Sequence, residues 1–201
     1  MRKSVLDYIL RIYLPVTLLI VVATYTVTYF VSRDERYHVG YQPTQPINYS
    51  HELHAGTVKT SDGRMGMGID CQYCHTGVSK GRHANVPAVE TCMNCHAVAA
   101  TDRPEIQKLT AYYKDNKPLE WERIHKLPEH VYFNHSVHVN KGLACQECHG
   151  PIQTMAKVAQ AKPFMMSNCL DCHRNAPQRY PHLVNLTGLK KGPENCAACH
   201  R

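Results

Sequence analysis

Phe133 to His149 reads FNHSVHVNKGLACQECH. An aromatic residue precedes two histidines set three positions apart, and a Cys-x-x-Cys-His motif follows. The same motif stands at Cys71 to His75 (CQYCH), Cys92 to His96 (CMNCH), Cys169 to His173 (CLDCH) and Cys196 to His200 (CAACH). The five copies use all 10 cysteines. Cys-x-x-Cys-His is the attachment pattern for c-type haem. Its two thiols add across the porphyrin vinyl groups, and its histidine reaches the iron from one face. The pattern predicts five covalently bound haem c. They are attached through Cys71, Cys74, Cys92, Cys95, Cys145, Cys148, Cys169, Cys172, Cys196 and Cys199. The motif ligands to iron are His75, His96, His149, His173 and His200. A disulfide framework does not call for a histidine after every second cysteine, and a two-residue spacing suits a structural bridge poorly. Zinc sites built from Cys-x-x-Cys pairs would use four copies and strand the fifth.

Moving outward, the segment before the motif has a twin. Tyr49 to His54 (YSHELH) precedes the first two motifs as Phe133 to His138 (FNHSVH) precedes the third and fourth. On a helix, positions i and i+3 share a face yet diverge by about 60°. Two such imidazoles reach two neighbouring irons from one backbone element. His51, His54, His135 and His138 are therefore predicted as second iron ligands, since histidine is the commonest metal ligand. Five further histidines stand outside the motifs: His38, His83, His125, His130 and His182. The fifth second ligand is open among His125, His83, His130 and a methionine, Met165 or Met166. The last choice would raise that haem's potential.

The domain organisation follows. Residues 1–37 form an anchor and 38–201 a haem domain. The latter divides into a two-haem unit (49–96), a connecting segment (97–124), a second two-haem unit (125–173) and a terminal haem (174–201). Asp102-Arg103-Pro104 opens a helix through about Tyr113, and Lys117-Pro118 ends it. Gly, Pro and Asn cluster around the motifs, so the expected class is mainly α with extensive coil. GRMGMG at Gly63 to Gly68 lacks the strand–turn–helix setting of a phosphate loop and reads as turns. No acid–base dyad or nucleophile triad stands out, which points to a chain that is not catalytic alone.

Trp121 is the only tryptophan, and there are three phenylalanines. That is a thin apolar supply for a chain of 201 residues, so porphyrin must make most of the core. The formal charge of +7 falls to about +2 with five ferric haems and their ionised propionates, and to about −3 on reduction. No recognition motif accompanies the charge, and no nucleic-acid partner is expected.

Ile12 to Val31 is a run of 20 residues, IYLPVTLLIVVATYTVTYFV, long enough to span a bilayer as one helix. Tyr8, Tyr13, Tyr25, Tyr29 and Phe30 sit near its ends, where aromatic rings favour the interface. The run exceeds a signal-peptide core and no small-x-small site follows it, so an uncleaved signal-anchor is expected. Arg2, Lys3 and Arg11 before it place the N-terminus in the cytoplasm, against Arg33 and Arg36 after it. Pro15 falls near the first turn, where a missing N–H costs little. Small residues on the span are few (Ala23, Thr17, Thr24, Thr26, Thr28), which predicts a peripheral helix in any bundle.

QPINYSHELHAG, DCQYCH, VPAVETCMNCH, WERIHKLPEHVYFNHSVHVNKGLACQECHG and NCLDCHRN together resemble the pentahaem cytochrome c subunit of alternative complex III, within the cytochrome c3/c7-like multihaem family. The resemblance runs over most of residues 38–201. It implies a bacterial cytoplasmic-membrane protein with its haem domain in the periplasm and all irons bis-histidine. Such a subunit relays electrons from quinol, beside iron–sulfur and polytopic membrane subunits, toward a monohaem cytochrome c or a terminal oxidase. It also places the Trp-x-Arg-x-His-x-Leu-Pro stretch on His125, favouring that residue as the fifth second ligand. The rival readings are a periplasmic reductase, which needs an iron with an open sixth position, and a quinol dehydrogenase subunit feeding a soluble reductase.

Overall fold

The computed structural model describes residues 4–31 and 38–200. Arg2, Lys3, Arg33 and Arg36, on which the expected membrane orientation rests, lie outside them.

Helix starts Val5–Tyr8 (α1), passes through a π turn at Ile9–Tyr13, and continues as α2, Leu14–Val31. The Ser4 hydroxyl caps its start by accepting the Asp7 N–H at 3.2 Å, and Arg11 pairs with Asp7 at 2.6 Å one turn on. The helix thus begins ahead of the expected Ile12, and Pro15 lies in its interior rather than its first turn. Pro15 has no N–H to offer, and its ring crowds the turn before it. The wider π turn accommodates both. Val5–Val31 has mean hydropathy 2.0 over its best window and buries none of its residues. Its 27 residues span about 40 Å, enough to cross a bilayer core of about 30 Å. Such a helix serves a membrane anchor or a signal sequence.

The remainder is short helices joined by ordered loops: α3 His51–His54, α4 Cys71–Cys74, α5 Val89–His96, α6 Pro104–Lys114, α7 His135–Val139, α8 Cys145–His149, α9 Met166–Arg179 and α10 Pro181–Thr187. Single 3-10 turns form at Ile152–Thr154 and Cys196–Ala198. Among the described residues there is no strand, only isolated bridges at Lys59/Met65 and Val131/His200. The mainly helical expectation holds. The helix expected through about Tyr113 is α6. Pro104 opens it, and Asn116, at φ 51°, turns the chain away just past its end. In the GRMGMG stretch Gly63 follows a turn at Ser61-Asp62, Met65 bridges back to Lys59, and Gly63 and Gly68 take φ 88° and 64°.

The two halves interlock. The Glu52 N–H donates to the Met155 carbonyl at 3.0 Å, six residues past the third motif. Reciprocally, the Ser136 N–H donates to the Gly81 carbonyl at 3.1 Å, six residues past the first motif. Each histidine pair is therefore held by the loop that follows the other half's leading motif.

Apolar packing is sparse. Ile47, Val89 and Leu109 form one small cluster, against which Cys92, Met93, Ile106, Tyr112, Leu119 and Trp121 pack. Ala176, Leu183 and Leu189 form another, with Leu143 and Tyr180. No large side chain is fully buried among the described residues. The polypeptide exposes 14330 Å², whereas a compact monomer of 22.8 kDa exposes about 9,600 Å².

Candidate haem-binding site

Four of the five motifs lie on helical turns, and the fifth on the 3-10 turn at Cys196–Ala198. Helical spacing turns both cysteines of a motif toward one edge of a planar ring, as two-point attachment requires. Side-chain caps start two of these turns, at the first and fifth motifs. The Asp70 carboxylate accepts the Gln72 N–H at 2.8 Å, and the Asn195 side chain accepts the Ala198 N–H at 2.9 Å.

The twin histidine segments fold alike. Tyr49 stacks on His54 (centroids 4.4 Å apart, 23° between planes) and stands edge-on to His51 (4.9 Å, 87°). Phe133 does the same to His138 (4.6 Å, 24°) and His135 (4.8 Å, 87°). The aromatic residue of each motif thus fixes both imidazole planes.

Each imidazole must also present a lone pair. A carbonyl can only accept, so a ring nitrogen facing one carries the proton. Nδ1–H donates to a backbone carbonyl in His54 (Ser50, 2.8 Å), His138 (Asn134, 2.8 Å), His135 (Arg82, 2.7 Å), His75 (Asn85, 2.7 Å), His96 (Ala99, 3.0 Å) and His173 (Pro193, 2.7 Å). All six rings are thereby locked with Nε2 free, the tautomer and orientation of a metal-bound histidine.

The free histidines face motif histidines. His54 lies 6.2 Å from His96, His138 lies 6.1 Å from His173, and His135 lies 6.4 Å from His149, ring centre to ring centre. Two metal–imidazole bonds of about 2 Å, with the rings' own radii, set trans imidazoles about 6 Å apart. Among the described residues, no three His, Cys, Asp or Glu side chains gather into one metal cage; the histidines oppose each other in pairs. The chain's donors therefore fit haem c.

Residues 131–201 match the family model described as cytochrome c7 and related cytochrome c. The match covers about a third of the chain and supports a cytochrome c7-like multihaem domain over those residues. The matched span holds the third to fifth motifs and His135 and His138. A search of curated proteins found no match.

Toward the cytochrome c7-like domain's first motif, a central cluster forms. The His125 ring stands 4.4 Å from His149, nearly perpendicular, with Phe164 5.7 Å away. Burial drives the pKa of His125 and of His51 down to about 4 and that of His149 to about 3, so all three are neutral at pH 7. His51 also feels His75 and His125. His125 Nε2, His51 Nδ1 and His149 Nδ1 are buried with no hydrogen-bond partner. At 4.4 Å, His125 and His149 are too close to be trans on one iron. His130 lies beside His200 instead, at 5.4 Å and 23°. His83, His38, His182 and Met166 are exposed, as is His130, but only His130 among them has its ring beside a motif histidine.

Neighbouring motifs touch in a definite order. Asn94 of the second donates to the Tyr73 hydroxyl of the first at 3.2 Å. The Cys71 and Cys145 thiols lie close enough to interact, which brings the first motif beside the third. The Tyr180 hydroxyl, at the end of the fourth motif's helix, donates to Glu147 of the third at 2.6 Å. Arg174, next to His173, pairs with Glu194 ahead of the fifth motif at 2.8 Å. In space the order is second, first, third, fourth, fifth.

Three residues that sequence reasoning passed over matter here. Trp121 packs against the Ile47, Val89 and Leu109 cluster, and its Nε1–H, which can only donate, is buried with no partner; a haem propionate is an acceptor that would satisfy it. Asn85, at φ 61°, presents the carbonyl that holds His75. Gly192 lies against His173, and its N–H donates to the His173 carbonyl at 2.9 Å. A Cβ there would fall on the His173 ring, 2.7 Å from Cδ2 and 2.8 Å from Nδ1. Gly192→Ala is therefore expected to cost about 1–3 kcal/mol by overpacking and to alter the signal of one haem. Thermal melting and electron paramagnetic resonance (EPR) check this; an unchanged melt and spectrum would contradict it.

Proposed function

We propose that the chain is a membrane-anchored pentahaem cytochrome c that relays single electrons within a quinol-oxidising complex, alternative complex III, toward a periplasmic cytochrome or terminal oxidase. The observation that carries an electron relay is the three imidazole pairs at 6.1–6.4 Å with Nε2 free on the locked rings. Haem supplies a one-electron couple at each site. The chain supplies two histidines per iron, leaving no position for substrate. Its aromatic and carbonyl contacts hold the imidazoles in place, so ligation needs little rearrangement when charge changes. Contact between successive motifs supports a continuous route running second, first, third, fourth, fifth. The helix Val5–Val31 supports anchoring. The N-terminus is cytoplasmic and the haem domain periplasmic, because haem c is attached outside the cytoplasmic membrane. Iron–sulfur and polytopic membrane subunits are the proposed partners on the quinol side.

The test is purification of the tagged chain from its own membranes, with a pyridine haemochrome assay and low-temperature EPR. Five low-spin haems per chain, co-eluting with those subunits and reduced by quinol only in their company, are expected. A substoichiometric haem count, a high-spin iron in the native protein that binds added small ligands, or reduction of the lone chain by quinol would overturn it.

A further inference from the structure

His130 stands where an iron ligand is needed. The fifth motif sits on a single 3-10 turn near the end of the described chain, and no second ligand follows from its own sequence neighbourhood. The segment before Phe133 folds back onto it. Val131 bridges His200 in antiparallel fashion, and the Tyr132 N–H donates to the Cys199 carbonyl at 2.7 Å. A turn closed by the Val131 N–H on the Pro128 carbonyl at 2.9 Å sets the approach, and the Arg82 guanidinium covers the Tyr132 ring at 4.2 Å. This backbone pairing is independent of side chains. It brings the His130 ring to 5.4 Å from that of His200 at 23°, the same angle as His138 makes with His173 and 0.7 Å closer than their 6.1 Å. His125, five residues earlier, is drawn instead into the cluster around His149.

We propose that His130 is the second iron ligand at the fifth motif, opposite His200, and that His125 belongs to the central cluster. This rests on the pentahaem reading. It makes six free histidines (His51, His54, His125, His130, His135 and His138) available to five irons. His135 faces His149 at 6.4 Å and His51 lies near His75, so His125, at 4.4 Å from His149, is the free histidine left without an iron.

The full holo chain carrying His130→Ala tests this, beside His125→Ala and a surface control, His83→Ala. All keep the cysteines, so a haemochrome assay first counts haems. Five per chain in the unmutated protein upholds the pentahaem reading; fewer sinks that reading separately. His130→Ala is expected to convert about one haem per chain to high-spin ferric iron, and added imidazole to return it to low spin. His130→Met, which keeps a ligand, is expected to stay low-spin and to gain the near-infrared band of His/Met ligation. It serves should the alanine variant fail to fold. A wholly low-spin His130→Ala protein would overturn the assignment, as would a His130→Met protein without that band.

Discussion

Produced without haem attachment, the chain is expected to show no cooperative thermal transition. The reason is the distribution of its apolar side chains. Ile47, Val89 and Leu109 form one cluster, and Ala176, Leu183 and Leu189 another. Neither contains a fully buried large side chain, since none exists among the described residues. Helices as short as His51–His54 or Cys71–Cys74 do not persist alone. Their imidazoles and thiols are arranged for a flat apolar group that each segment can pack against. Binding free energy is then folding free energy, as in small metal-stapled domains. Circular dichroism melts of the haem-free chain and the holoprotein provide the comparison. A cooperative melt of the haem-free chain would show that the two clusters suffice.

His138→Ala is expected to leave about one haem per chain high-spin and open to cyanide, and to slow electron passage between the third and fifth motifs. His138 is the imidazole set opposite the fourth motif's histidine. It faces His173 at 6.1 Å, stacks on Phe133 at 4.6 Å and donates Nδ1–H to Asn134 at 2.8 Å. The fourth motif lies between the third and the fifth, so an altered potential there interrupts the route. His138→Met, retaining six ligands, is expected to raise one midpoint by on the order of 0.1 V. His54→Ala should show the same spectral change at the second motif, with a smaller effect on passage, because that motif ends the chain of contacts. EPR-monitored redox titration reads both. A low-spin His138→Ala protein would refute the pairing with His173.

Much of the site is legible in the residues because its chemistry is local. Attachment of haem c needs two thiols and an imidazole within five residues, so Cys71 to His75 and its four counterparts announce themselves. The twin histidine segments are equally short-range. Tyr49 with His51 and His54, and Phe133 with His135 and His138, take one geometry because the spacing and the aromatic residue determine it. The apolar N-terminal run is local too, although its start was not. Ser4 and Asp7 extend the helix ahead of Ile12, and the π turn before Pro15 absorbs the ring.

What lies beyond the sequence is long-range. His125 and His130 differ by five residues and offer the same imidazole; only the pairing of Val131 with His200 separates their fates. Gly192 is a small residue in a loop until the fold sets it against His173. The spatial order of the motifs follows from contacts such as Cys71 with Cys145, which no spacing encodes. The sequence by itself determined where the Cys-x-x-Cys-His motifs and the twin histidine segments stand, because each is a matter of neighbours along the chain. The tertiary structure alone decided which imidazole faces which motif and in what order the motifs touch, because a second ligand arrives from wherever the backbone folds back.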